Sequence, residues 1–319
     1  MKDSIEISII IVNYNTTDHL RKCLKSIETY LKSNGIEIIV VDNNSSDRSI
    51  EKLTGEFPAI KLFLRDKNDG FGSGCNYGVR HSSGKYLLFL NPDIVLLNDS
   101  VTLLKKYLEA NSDCGIVSGL MVEENDSVIY SFNDFPSYLW EFYQLIGYGY
   151  DEKIKKLNNK KEIVENKIFE TDWFHGAYFM ISRIDFEMAG GFNENYFIYY
   201  EDVEICFKIK SVLKKKVICI PQVRVYHHTK SSLSEEKTDN VYIFHLQRSK
   251  ILFINNYYFF KRIILHFTGF MYVIARILYL PVWKKYKGRR KEKSDQLMKI
   301  LKLYLSDSYL YESKYEYIR

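Results

Sequence analysis

No CxxC pair occurs in this sequence; its five cysteines, Cys23, Cys75, Cys114, Cys206 and Cys219, are scattered along 319 residues. That spacing argues against a disulfide framework and for reduced core thiols in the cytosol. A large excess of one charge is also missing: the net charge of +5 is too mild to argue for nucleic acid, and none is expected as a partner. The N-terminus MKDSIEISIIIVNYN lacks the charged, apolar and small-residue succession of a signal peptide, so none is expected. No internal repeat and no low-complexity linker is found. A spanning helix needs about 20 nearly uncharged apolar residues. The most apolar stretch, 263–280, is marginal on that measure because it carries His266 and Arg276. Aromatic residues, by contrast, are abundant at 15%, with 26 tyrosines, many of them in the last third.

What is present is an alternation of short apolar runs and helical patterns. Residues 5–12 (IEISIIIV) read as a buried strand ending in the polar loop Asn13-Tyr14-Asn15-Thr16. Leu20, Cys23, Leu24, Ile27 and Leu31 follow at helical spacing, with Thr16, Thr17 or Asp18 as the cap and Gly35 as the end. Further strands are expected at 36–41, 60–64 and 86–90, and a helix opens in the Gly-rich segment NDGFGSGCNYG at 68–78. The run YLLFL at 86–90 is apolar throughout, as a strand buried on both faces is. Pro92 has no N–H for a ladder, which leaves Asp93 at the carboxyl end of that strand. This order implies an α/β fold, a mostly parallel sheet with helices on both faces. Beyond Asn98 the pattern predicts a helix over 101–110 capped by Asn98 or Ser100, and strands at 116–122, 128–132 and 178–182. A tight turn at Gly190-Gly191 and a helix opening at Tyr199-Tyr200-Glu201-Asp202 follow. Strands at 217–220 and 223–226 are separated by Pro221, and residues 135–159 read as a surface insertion. In the tail, residues 284–293 (KKYKGRRKEK) hold seven Lys or Arg against one Glu. An amphipathic helix resting on an anionic membrane surface fits this composition, with helix packing or a homodimer face as the alternative.

Several acids and histidines fall where chemistry is possible. Asp42 follows the second strand and can accept a hydrogen bond from a nucleobase N–H or a ribose hydroxyl, or else cap the next segment. Asn91-Pro92-Asp93 places a carboxylate where a hard cation, Mg²⁺ or Mn²⁺, can be held, with phosphate oxygens and water completing its shell; the alternative is a turn cap. Glu201-Asp202 offers a general base for an acceptor hydroxyl, and a helix start there favours the ionised form; a plain helix cap is the alternative. His227 can add an imidazole to the metal. Trp173, His175, Glu201 and Tyr199-Tyr200 are candidates to line an acceptor sugar, the aromatic ones otherwise packing in the core.

The ordered blocks IIIVNYN, VDNNSSD, NDGFGSGCNYG, LFLNPD, WFHGAYFMISR, GGFNENYFIYYEDVEICFK and VYHHTKSS, from about Ile5 to Leu233, resemble the inverting family-2 glycosyltransferases of the GT-A fold. Within that family the likeness is to bacterial rhamnosyltransferases. The resemblance implies a mixed sheet with helices on both faces plus a C-terminal helical extension. It implies a transferase domain over 1–235, with a nucleotide-binding half (1–97) and an acceptor-binding half (98–235), and an aromatic, basic extension over 236–319. It implies that Asp42 contacts the base, that Asn13, Asn68 and Gly70 flank the nucleotide, and that Asn91 and Asp93 stand at the family's DxD metal motif. Asp202 is then the base and His227 a metal contact. The donor expected is dTDP-L-rhamnose, or else a UDP-hexose. The acceptor expected is a lipid-linked surface glycan reached from the cytoplasmic face of the membrane. The chain departs from the pattern at Asn91 (usually Asp), His175 (usually small and polar), Asn193 and Glu204 (each usually Asp). A noncatalytic glycan-binding subunit is the rival reading, disfavoured by retention of both Asp93 and Asp202. A nucleotidyltransferase would need a basic Gly-rich loop near 13–17, and none is there.

Overall fold

The computed structural model describes residues 5–31, 35–46, 48–129, 131–137, 163, 165–228, 235–257, 262–282, 288 and 290–305. Most of the expected insertion at 135–159 and part of the basic run at 284–293 lie outside these residues. The chain forms two compact units. Among the described residues, the first comprises the chain up to Phe135 with 163–196 and 201–228; the second comprises 136–137, 197–200 and everything from 235 onward.

The first unit is built on a nine-stranded sheet. Its strands are β1 (Ile7–Asn13), β2 (Ile36–Asp42), β3 (Ile60–Leu64), β4 (Tyr86–Leu90), β5 (Ile94–Leu96), β6 (Cys114–Val122), β8 (Phe169–Glu170), β10 (Tyr178–Ser182) and β11 (Lys216–His227). A separate pair is formed by β7 (Phe132–Asn133) and β9 (Trp173–Phe174). The order is β3-β2-β1-β4-β10-β6-β11-β5, with β8 alongside β11. The first four strands are parallel, as the alternation of strands and helices predicts. The second half is not: β10 runs antiparallel to both β4 and β6, so the sheet is mixed.

Every residue of β1 and β4 is buried, because helices cover both faces. Alternate side chains go to opposite sides. Ile9 and Ile11 join Leu20, Leu24 and Ile27 of α1 (Thr17–Tyr30) and, farther along, Val101, Leu104 and Leu108 of α4 (Ser100–Ala110). On the other face Ile10 and Val12 join Cys75 and Val79 of α3 (Phe71–Arg80), and Ile205 and Ile209 of α6 (Glu201–Ser211). Each such aliphatic side chain contributes about 1.5–3 kcal/mol by leaving water. Short helices α2 (Leu53–Glu56) and α5 (Arg183–Met188) complete the unit. All five cysteines are free and buried.

Three sequence expectations are corrected here. Gly35 does not end α1: the helix stops at Tyr30, and the Gly35 carbonyl accepts from the N–H groups of Glu6 and Ile7. The cap of α4 is neither Asn98 nor Ser100 but Asp99, whose carboxylate accepts from the Thr102 N–H at 3.1 Å; the Ser100 hydroxyl pairs with Tyr178 Oη instead. Pro221 does not divide two strands. Ile220 pairs with Gly119 and Arg224 with Leu120, so 221–223 bulge out of one continuous β11 and Pro221 owes the ladder no N–H. A Cβ on Gly119 would lie 2.3 Å from the Val223 carbonyl oxygen, so the bulge closes only over a glycine.

The second unit holds α7 (Glu235–Tyr257), α8 (Arg262–Tyr279) and α9 (Arg290–Leu305). His266 of α8 bonds Asn255 of α7 at 2.7 Å, and Tyr304 of α9 donates to Gln247 of α7 at 3.1 Å. Ile263, Ile264, Phe267, Met271 and Leu278 of α8 are exposed. By length and composition alone Ile263–Val282 is apolar enough to cross a membrane, with mean hydropathy 1.8 and 22% of it buried.

Candidate active site

The parallel strands β1, β2 and β4 end on one edge, at Asn13, Asp42 and Leu90. Open α/β sheets collect ligands at such an edge.

Asn13 and Asp42 are the last pair of the β1–β2 ladder. Asn13 is fully buried; its Nδ2 donates to Asp42 Oδ1 at 2.8 Å and its Oδ1 accepts from Thr16. From there it orients Asp42 at the ligand edge. Asp42 also accepts from the Ser45 hydroxyl (2.6 Å) and the Ser45 N–H (2.8 Å), so it closes the next turn as a cap would. Asn68 Oδ1 accepts from the Gly70 N–H at 3.0 Å, and Gly70 takes φ +97°, a backbone open to glycine without strain. That turn starts α3. Arg65 was not singled out by sequence reasoning. Its guanidinium donates to Asn43 (2.9 Å), Asp69 (3.0 Å) and Ser73 (3.2 Å), and so ties the end of β2 to α3. The available signal was a basic residue directly after the third strand, at the ligand edge.

The structure brings Asp93 and His227 together: Asp93 Oδ1 and His227 Nε2 are 3.4 Å apart. Two ladders produce this contact. β4 delivers 91–93, and β11 pairs with β5 so that His227 lies opposite Ile94. The His228 N–H donates to the Asp93 carbonyl at 3.1 Å and fixes the junction. Asn91 Oδ1 is buried beside them without a hydrogen-bond partner among the described residues. A carboxylate and an imidazole nitrogen that converge, next to an orphaned amide oxygen, suit a hard divalent cation that takes its remaining ligands from a diphosphate and water. Among the described residues no group of three His, Cys, Asp or Glu is arranged to hold a metal by itself.

Asp202, in the first turn of α6, is half-buried. Its Oδ2 accepts from the Gly176 N–H and its Oδ1 from the Val203 N–H, both at 2.8 Å. Burial nevertheless raises its pKa above the ordinary 3.8, against the opposing pull of His175 and the N–H donors. The backbone N–H groups, Val203 of the helix start among them, favour the ionised form as expected, but desolvation outweighs them, and the carboxylate is a stronger proton acceptor for it. Gly176 permits the contact, since a Cβ there would meet Phe71 at 3.2 Å and Asp202 Cβ at 3.4 Å. His175 is accessible and stacks on Trp173 with ring centroids 5.3 Å apart. Desolvation by the protein packed around the ring lowers its pKa although part of it is open to solvent; Asp202 opposes this and His227 adds to it.

Glu201 is not on an open acceptor face. It is 4% exposed, and a Cβ on Gly72 of α3 would lie 3.5 Å from its Cβ. Burial, and then the charge of Asp202, push its pKa well above the ordinary 4.5. Tyr200 packs its ring on Phe253 in the second unit. Tyr199 and Tyr200 both take positive φ, +68° and +71°, which costs bulky residues about 1–3 kcal/mol each. Two departures from the family pattern answer each other: Asn193 Nδ2 donates to both carboxylate oxygens of Glu204, at 3.0 and 3.3 Å.

Fold and site together define a glycosyltransferase of the GT-A fold. A mannosyltransferase from Pyrobaculum calidifontis, solved with GDP-mannose and Mn²⁺, shares that fold: TM-score 0.59, 16% identity, 95% of this chain and 88% of its own. The family model "Glycosyl transferase family 2" matches residues 8–181, more than half of the chain, and the chain belongs to that family. Rhamnosyltransferase WbbL of Escherichia coli K12 is 26% identical over 231 residues, 69% of this chain and 82% of its own. The N-acetylglucosaminyl-diphospho-decaprenol L-rhamnosyltransferase of Mycobacterium tuberculosis H37Rv is 21% identical over 249 residues, 74% and 80% of the two chains.

Proposed function

We propose that this glycosyltransferase is inverting and metal-dependent, and that it moves L-rhamnose from dTDP-L-rhamnose to a hydroxyl of a lipid-linked glycan. The observation that carries the reading is the gathering of Asp93, His227, His175 and Asp202 at one sheet edge. The two rhamnosyltransferase relatives support the choice of sugar, and the decaprenol-linked substrate in one relative's name supports the choice of acceptor.

In this mechanism Asp42 and the turn at Asn68-Gly70 receive the nucleoside. Asp93 and His227 would hold Mg²⁺ or Mn²⁺, which offsets the charge gathering on the leaving diphosphate. The acceptor hydroxyl oxygen attacks the anomeric carbon while its proton passes to Asp202. The bond from that carbon to the diphosphate oxygen breaks, and the nucleoside diphosphate leaves with the bonding pair. One displacement inverts the anomeric centre. Trp173 and His175 offer stacked rings to the acceptor. The exposed apolar residues of α8 and the basic run after it would rest on the anionic inner leaflet, where a lipid-linked acceptor is found.

The test is a thermal-shift panel of nucleotide sugars with Mn²⁺, followed by donor hydrolysis. The largest stabilisation is expected with dTDP-L-rhamnose. A shift with UDP-hexoses alone would replace the donor, and binding with no hydrolysis would favour a noncatalytic subunit.

A further inference from the structure

The segment that leads into the proposed base has an unusual backbone and a row of contacts on one helix. Tyr199 and Tyr200 are consecutive non-glycine residues at φ +68° and +71°. Bulky side chains hold that conformation only where their surroundings fix it. Three contacts that hold the segment lie on one stripe of α7. His245, Ser249 and Phe253 stand four residues apart, so they share a helix face. The His245 ring sits against Phe197, with centroids 5.0 Å apart. The Ser249 hydroxyl donates to the Ile198 carbonyl at 3.0 Å. The Phe253 ring sits against Tyr200 at 5.6 Å. All three α7 residues are essentially inaccessible to water. The segment 197–200 belongs to the C-terminal unit, although the chain on either side of it belongs to the transferase unit. Tyr200 is bonded directly to Glu201, and Asp202 follows, so whatever fixes 197–200 fixes where α6 begins.

We propose that His245, Ser249 and Phe253 are positioning residues for the base, and that the C-terminal helices are thereby a working part of the transferase and not an appendage to it. This rests on the reading of Asp202 as the base. Without the α7 stripe, the two tyrosines relax toward ordinary φ, the first turn of α6 shifts, and the Asp202 carboxylate leaves its enclosed seat. The nucleotide side of the site, built from Asp42, Asn68 and Gly70 on other elements, is untouched by this.

The test uses the full chain with dTDP-L-rhamnose and Mn²⁺, and compares Ser249→Ala, Phe253→Leu and Asp202→Asn with the parent. Ser249→Ala is small enough to leave folding intact. The two α7 variants are expected to lower kcat about tenfold, keep the donor KM within about twofold and keep a single melting transition. Their acid limb of kcat is expected to move to lower pH, because a base released from its enclosure loses the desolvation that raised its pKa. Combined with Asp202→Asn they are expected to cost nothing further, since residues acting through one group do not add. Parental kcat with an unmoved pH profile would overturn the proposal. So would a loss carried by donor KM, or an equal further loss in the Asp202→Asn background. Normal turnover by Asp202→Asn would remove the underlying reading. An inactive Asp202→Asn beside fully active α7 variants removes this inference alone.

Discussion

Asp202→Asn changes one oxygen to an NH₂ and separates chemistry from binding. The parent carboxylate accepts two backbone N–H bonds, from Gly176 and Val203, at 2.8 Å each. An asparagine can accept only one of them. The other N–H then faces a donor, which costs about 1–3 kcal/mol at a buried site. Part of that returns, because the charge that pushes up the Glu201 pKa is gone. A loss of stability near the lower end, about 1 kcal/mol, is therefore expected in thermal melts. The catalytic loss is larger: a general base contributes roughly 10²–10⁴ in rate, about 3–5 kcal/mol of barrier. Binding of dTDP with Mn²⁺, measured by calorimetry, should stay within about twofold, since Asp202 bonds Gly176 and Val203 while Asp42 bonds Asn13 and Ser45 on other elements. The rate assay is dTDP release under saturating donor. In the parent the acid limb of kcat should lie above pH 3.8, because burial raises the Asp202 pKa. Turnover by the variant within about fivefold of the parent would refute the assignment, whatever its stability.

Asp93→Ala should weaken Mn²⁺-dependent nucleotide binding at least about tenfold, some 1.4 kcal/mol, and leave metal-free binding unchanged; identical titration heats for both chains would count against Asp93. His245 is pushed down to about 4 by burial, with Arg248 adding to the effect. Between pH 6.5 and 4 the unfolded chain takes up a proton at this site that the folded chain refuses, so stability is full above pH 6.5 and falls with pH, by about 3 kcal/mol at most. Denaturation at pH 7 and pH 4.5 should show that slope, and His245→Phe should flatten it; an equal slope in both would exclude His245 as its source. The full chain should sediment with phosphatidylglycerol vesicles and not with phosphatidylcholine ones, and Phe267→Glu with Leu278→Glu on the exposed face of α8 should release it. Equal sedimentation with both lipids would argue against an electrostatic contribution.

The fold was legible where local pattern and tertiary context agree. Four parallel strands announced themselves as apolar runs, with β3 and β4 placed to the residue. Pairing direction was not legible, because β10 reads the same in either orientation and only the sheet places it between β4 and β6. The bulge at Pro221 was misread because it takes a neighbouring strand to excuse the missing N–H. In the site, positions were readable and environments were not. Asp93 and His227 stand 134 positions apart, and only the β5–β11 pairing joins them. The burial of Asn13 against Asp42 is visible only in the fold. The sign of the Asp202 shift depended on enclosure, which the spacing of residues does not encode.

The bulge in β11 bears on how the proposed metal pair, Asp93 and His227, comes together. Ile220 and Arg224 are four apart on β11, while their partners Gly119 and Leu120 are adjacent on β6, so the strand takes up three extra residues there. Residues paired across a ladder point to the same face of the sheet. The ladder resumes at Arg224 and runs on to His227 opposite Ile94, so the face His227 takes is set by its partner strands and not by the count of residues in the loop. The loop is a slack length of chain that the strand absorbs without displacing the histidine offered to Asp93.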